Sequence, residues 1–168
     1  GEWWAPSLAP RPDLKEDDLV ALLRDGRHRQ GAAMGPMAAV VARSTRHWRE
    51  DDLRATARYL ATLPAAPAPR AAEAAEPARL ALGARLYEQR CADCHGARGE
   101  GRAPWIVPLA GNPSVTEARL ENLVQALRHG GFAAATAKHP RPVGMPPQAL
   151  TPAEMAAVLS HLRQSWGN

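Results

Sequence analysis

The sequence predicts an all-α protein, and three observations carry that prediction. Alanine is abundant while valine and isoleucine are sparse, a mixture that favours helices over a β-sandwich or barrel. Aromatic residues make up only 5% of the chain, and most of them are tryptophan. Apolar residues recur at helical spacing in stretches separated by loops rich in Gly and Pro. With 168 residues, 45% hydrophobic and 23% charged, the composition is that of a globular protein of one ordinary domain or two small ones.

Composition also narrows the partners. The longest apolar stretch, residues 32–42, is too short to span a bilayer and is interrupted by Gly35 and Pro36, so contact with a membrane is expected to be peripheral at most. Gly1 is not an initiator Met and no signal peptide precedes it, which reads as a processed or trimmed chain. The formal charge of +4 is carried almost entirely by Arg, the only lysines being Lys15 and Lys138. No nucleic-acid partner is expected, because no helix-turn-helix, zinc-finger or RNA-binding signature accompanies that charge, and no basic stretch is interleaved with stacking aromatics.

The elements follow in order. Glu16-Asp17-Asp18 and Glu50-Asp51-Asp52 mark helix N-termini, where the macrodipole favours anions. Arg24, Arg27 and Arg29 follow a helix C-terminus and, with Arg43, Arg46 and Arg49, read as solvated surface, a basic docking face being the alternative. A stretch rich in Pro and Ala then reads as an extended linker over residues 65–78. Residues 76–90 form an amphipathic helix with Pro77 in its first turn. Gly83, Tyr87 and Cys91 share one face of it, and a glycine there suits close approach by another helix. Residues 115–129 are a second amphipathic segment, stopped by Gly130-Gly131. Thr151-Pro152-Ala153-Glu154 is a capping box opening a last helix, with Met155, Val158, Leu159 and Leu162 along its apolar stripe.

The first of these second-half helices runs into Cys91-Ala92-Asp93-Cys94-His95, and Cys-x-x-Cys-His is the attachment signature of c-type haem. Two thiols on one short turn reach the two vinyl groups of a porphyrin and form thioethers, and the next His points its imidazole at the iron. Covalent attachment uses both thiols, in keeping with a chain that has two cysteines in all. A redox dithiol would need a βαβ surround that is not visible, and a structural zinc would need two further ligands at short spacing. One covalent haem c is therefore expected. Three helices with long loops leave an interior that a flat apolar macrocycle would fill.

The second axial ligand is expected from a loop on the opposite haem face. Met145, in Val143-Gly144-Met145-Pro146-Pro147, is the candidate, since His/Met ligation suits electron transfer. Met155 sits on a helix stripe and reads as core, and His139 is the alternative ligand. Pro108, in Pro108-Leu109-Ala110-Gly111, is expected to offer its carbonyl to Nδ1–H of His95 and so fix the ring. Trp105 and Trp166 read as plain packing residues, with a place bordering the porphyrin as the alternative.

The first half echoes the second. Leu19-Val20-x-x-Leu23-Arg24-x-Gly26 matches Leu123-Val124-x-x-Leu127-Arg128-x-Gly130, and Gly35-Pro36-Met37 stands where Gly144-Met145-Pro146 does. Residues 1–64 thus read as an incomplete unit without a Cys-x-x-Cys-His, and residues 79–168 as a complete one. Met37 would be an orphaned axial ligand. A cut made within a longer multi-haem chain explains this, and the rival reading is a haem-free docking module.

On these residues the chain resembles class I c-type cytochromes, through Gly83-x-x-x-Tyr87-x-x-x-Cys91-Ala92-Asp93-Cys94-His95-Gly96, Pro108-Leu109-Ala110-Gly111-Asn112-Pro113 and Met145-Pro146-Pro147. Its ending, Leu162-Arg163-Gln164-Ser165-Trp166-Gly167-Asn168, is similar to the last haem domain of multi-haem cytochrome c subunits of bacterial membrane-associated dehydrogenases acting on alcohols, sugars or gluconate. The resemblance implies a cytochrome c fold, a periplasmic location, and no catalysis by the chain itself. It further implies single-electron transfer from a dehydrogenase catalytic subunit to quinone or another cytochrome. The alternative is a catalytic haem protein (thiosulfate-oxidising, peroxidatic or ligand-sensing) with an open or labile sixth site.

Overall fold

The computed structural model describes residues 3–10, 14–65 and 74–166. Five helices set the frame: α1 (Glu16–Asp25), α2 (Gly35–Arg43), α3 (Glu50–Ala61), α4 (Pro77–Arg90) and a long last helix Pro152–Trp166. Between them lie a two-stranded antiparallel hairpin, β1 (Arg27–His28) with β2 (Gly31–Ala32), and a short 3-10 turn, Thr45–His47. After α4 come the single turns α5 (Ala92–His95) and α6 (Pro113–Thr116), then α7 (Glu121–His129), which makes the C-terminal helix α8. The protein is helical as the sequence predicts, and part of what was expected of the linker lies outside the described residues.

In the first half, the acidic turns behave as the macrodipole requires. Asp18 reaches back to the Lys15 backbone N–H at 3.0 Å, and Gly26 ends α1 at φ 73° with its N–H on the Leu22 carbonyl. Helices α1 and α3 bury Val20, Leu53 and Ala57 between them. Arg54 ties the two helix starts together, donating to Glu16 and Asp17 while pairing with Glu50 at 2.9 Å. The six arginines do not make a free basic face. Arg24 pairs with Glu50 at 2.8 Å, Arg29 with Asp18 at 3.2 Å, Arg46 donates to the Ala135 carbonyl, and Arg27 is buried.

In the second half, α4 and α8 cross at Gly83. A Cβ there would stand 2.1 Å from the Ala157 carbonyl oxygen, so only glycine lets the backbones approach this closely. The capping box at the start of α8 forms as read: Thr151 N–H donates to Glu154 at 2.8 Å, and Glu154 N–H to the Thr151 hydroxyl at 3.3 Å. The main core gathers Leu86 and Tyr87 of α4, Val115, Leu123 and Leu127, and the α8 stripe Val158, Leu159 and Leu162.

The segment 115–129 is not the single helix the periodicity predicts; it breaks between Thr116 and Glu121. A continuous helix would set Arg119 on the stripe between Val115, which is fully buried, and Leu123. The break turns Arg119 outward. Its guanidinium lies 3.8 Å from the Trp4 ring centroid and pairs with Glu121.

Candidate haem site

The Cys-x-x-Cys-His peptide is folded by the end of α4. Cys91 leaves the helix at φ −124°, its N–H still on the Tyr87 carbonyl at 2.8 Å. The next turn, α5, closes through Cys94 N–H (3.1 Å) and His95 N–H (2.8 Å), both donating to the Cys91 carbonyl. Both thiols therefore lie on one turn, and both are free: Cys91 half-buried, Cys94 exposed. Burial pushes the Cys91 thiol up, and burial pulls the His95 imidazole down, which favours the neutral ring that binds metals.

A loop then wraps this turn. Gly101 N–H donates to the His95 carbonyl at 2.7 Å, and Leu109 N–H returns to the Gly99 carbonyl at 2.7 Å. Gly101, at φ 71°, lies against the Ile106 carbonyl, 2.5 Å from where a Cβ would stand. Behind the turn, the Tyr87 hydroxyl donates to the Gly96 carbonyl at 2.6 Å. Tyr87 also packs against His161 and Trp166, with ring centroids 5.5 and 5.0 Å away. Trp166 is thus a packing residue, seated on Gly99.

The hydrogen bond expected between His95 and Pro108 is not made. Nδ1 of His95 is buried without a partner. The Pro108 carbonyl instead accepts from Nδ2 of Asn112 at 2.9 Å, while Oδ1 of Asn112 caps α6 through Ser114 N–H. That side chain fixes the Pro108 peptide to the α6 turn rather than to the imidazole. Asn112 is the functional neighbour that sequence reading missed; an Asn directly before Pro is the cap signal that points to it.

Met145 is held by backbone. Its N–H and carbonyl both pair with Gly131, each at 2.9 Å, in an isolated antiparallel bridge. The glycine pair before it is required: at Gly130, φ 61°, a Cβ would stand 2.2 Å from the Met145 carbonyl oxygen. Cys91, Leu109 and Met145 pack against one and the same core. Met155 touches that core too, from the α8 stripe, and borders a groove with Leu120, Val124 and Leu159. His139 lies elsewhere. It is buried in a turn with Thr136 and borders a cavity of about 570 Å³ with Trp105 and Lys138. Met37, in the first turn of α2, is 38% exposed.

These residues fit a covalently bound haem. Two free thiols share a turn, a half-buried neutral imidazole follows with its Nδ1 buried and unpartnered, and a thioether closes on the same apolar core. Among the described residues no three His, Cys, Asp or Glu side chains converge as a metal-ion site. A helix delivering Cys-x-x-Cys-His and crossed at a glycine by the C-terminal helix defines a c-type haem protein.

Residues 80–166 match the cytochrome c family, and the chain belongs to that family. Membership implies covalently bound haem c. The chain is 39% identical, over 99% of its length and 38% of the relative's, to the cytochrome c subunit of a quinone alcohol dehydrogenase from Gluconobacter oxydans (strain 621H). It is 34% identical, over 91% of its length and 37% of the relative's, to the gluconate 2-dehydrogenase cytochrome c subunit of Pantoea cypripedii. The chain spans well under half the length of these relatives. Among the described residues no helix is long and apolar enough to cross a membrane.

Proposed function

We propose that residues 79–168 carry one covalent haem c and relay single electrons from a dehydrogenase catalytic subunit to quinone or another cytochrome, in the periplasm. Residues 65–78 link this domain to a cytochrome c-like unit, residues 1–64, within which no Cys-x-x-Cys-His occurs. The observation that carries the reading is the shared core. It joins Cys91, at the head of the haem peptide, to Met145, while His95 presents a half-buried imidazole one turn on. The relatives' names supply the dehydrogenase.

When bound, the haem supplies a one-electron iron couple. The chain's own residues do the rest. Cys91 and Cys94 would anchor the ring as thioethers, and His95 and Met145, the latter kept in place by the Gly131 bridge, would hold its iron. Leu109 and the core leucines exclude water, which stabilises the lower charge of the reduced site.

Optical spectroscopy of the purified holoprotein tests this. The ferric form is expected to show a Met-to-iron charge-transfer band, unchanged by low concentrations of cyanide, and the ferrous form no response to carbon monoxide. Rapid ligand binding and no such band would instead indicate an open sixth site and a catalytic or sensing haem.

A further inference from the structure

The first half of the chain is built into the wall of the haem-peptide loop. The hairpin β1–β2 lies along residues 104–113: a Cβ on Gly31 would stand 3.6 Å from Oδ1 of Asn112 and 3.7 Å from Pro113, and the Gln30 amide faces Gly111. At the head of the hairpin, Arg27 is only 7% exposed. Its guanidinium crosses to the loop, donating to the Pro104 carbonyl at 2.9 Å and to the Trp105 carbonyl at 3.3 Å. That loop is the one whose Gly101 N–H holds the His95 carbonyl. Among the described residues no carboxylate pairs with Arg27. The nearby Asp25 pairs with Arg24 at 3.4 Å, and Nε of Arg27 is buried without a partner. A guanidinium remains charged in proteins even where burial disfavours the charge.

We propose that Arg27 is a positioning residue for the haem: it fixes the loop that bonds the His95 carbonyl, and its charge, held by loop carbonyls rather than by a paired carboxylate, raises the reduction potential of the site. The physical reason is Coulombic. A fixed cation bonded to the loop whose Gly101 N–H meets the His95 carbonyl disfavours the extra positive charge of the ferric state. The inference rests on the haem assignment above, and it makes residues 1–64 a tuning element of the haem domain rather than an independent module.

The test is redox titration of wild type, Arg27→Gln, Arg27→Met and Arg27→Lys, each first shown to retain covalent haem. At a fixed ambient potential the reduced-to-oxidised ratio should fall about three- to tenfold in the two neutral variants. It should stay close to wild type in Arg27→Lys, which keeps the charge but not the fork. The glutamine variant keeps a donor for the loop carbonyls and decides the matter if Arg27→Met does not fold. Equal ratios in wild type and Arg27→Gln overturn the proposal. So does an equal fall in Arg27→Lys, which would make loop packing, not charge, the cause. A wild type without covalent haem would instead remove the underlying assignment.

Discussion

Gly83 of α4 meets Ala157 of α8 backbone to backbone, with the Ala157 carbonyl oxygen 2.1 Å from the place a Cβ would occupy. His161, one turn on, stands 2.8 Å from the same place, so neither neighbour is the free end of a flexible chain. Adding even a methyl forces the two helices apart. Gly83→Ala should therefore destabilise the protein despite its better helix propensity, by about 3 kcal/mol, the upper part of the overpacking range. Denaturant unfolding of the holoprotein measures this; a variant as stable as wild type would show that the crossing is looser than described.

Gly130 carries a comparable constraint for the Met145 loop. It combines φ 61° with a Cβ position 2.2 Å from the Met145 carbonyl oxygen. Gly130→Ala should cost about 1–3 kcal/mol in backbone strain and disturb the Gly131–Met145 bridge. The expected signature is a weakened Met-to-iron charge-transfer band in the ferric spectrum.

Met145→Ala should leave the haem covalently bound, lower the potential, and open the sixth site to carbon monoxide and cyanide. Met155→Leu should do none of these, because Met155 lies on the α8 stripe and a volume-conserving swap there typically costs under about 1.5 kcal/mol. A reversed outcome for the two methionines would reassign the ligand.

Tyr87 gives a pH dependence with a definite sign. Burial pushes its phenol up from 10.0 to about 12, the charge of Glu100 adding to the effect. The unfolded chain ionises first, so the contribution of Tyr87 is fully present below pH 10 and is lost as pH rises through about 12. Tyr87→Phe should cost about 1 kcal/mol at neutral pH, through the lost hydrogen bond to Gly96. It should also flatten the decline between those two pH values, which stability measured against pH in both proteins will show.

What could be read in the sequence was local. Pro77 and the capping box at Thr151 locate α4 and α8, and Gly83 announces their crossing, because each signal concerns a residue and its near neighbours. The haem peptide is likewise five consecutive residues. The break before α7 was hidden because the apolar spacing continues across it, and only the Arg119–Trp4 contact reveals why the chain turns. The partner of the Pro108 carbonyl depended on a choice between two donors, His95 and Asn112, that spacing does not rank. Arg27 was grouped with surface arginines because nothing near it in sequence tells of Pro104 and Trp105, 77 and 78 residues away.

The most direct test of the account is to denature the purified, coloured holoprotein and extract it with acid acetone. The account predicts that the pigment stays with the polypeptide, that a haemochrome assay counts one haem per chain, and that Cys91→Ala together with Cys94→Ala abolishes attachment. Pigment leaving with the solvent would contradict it.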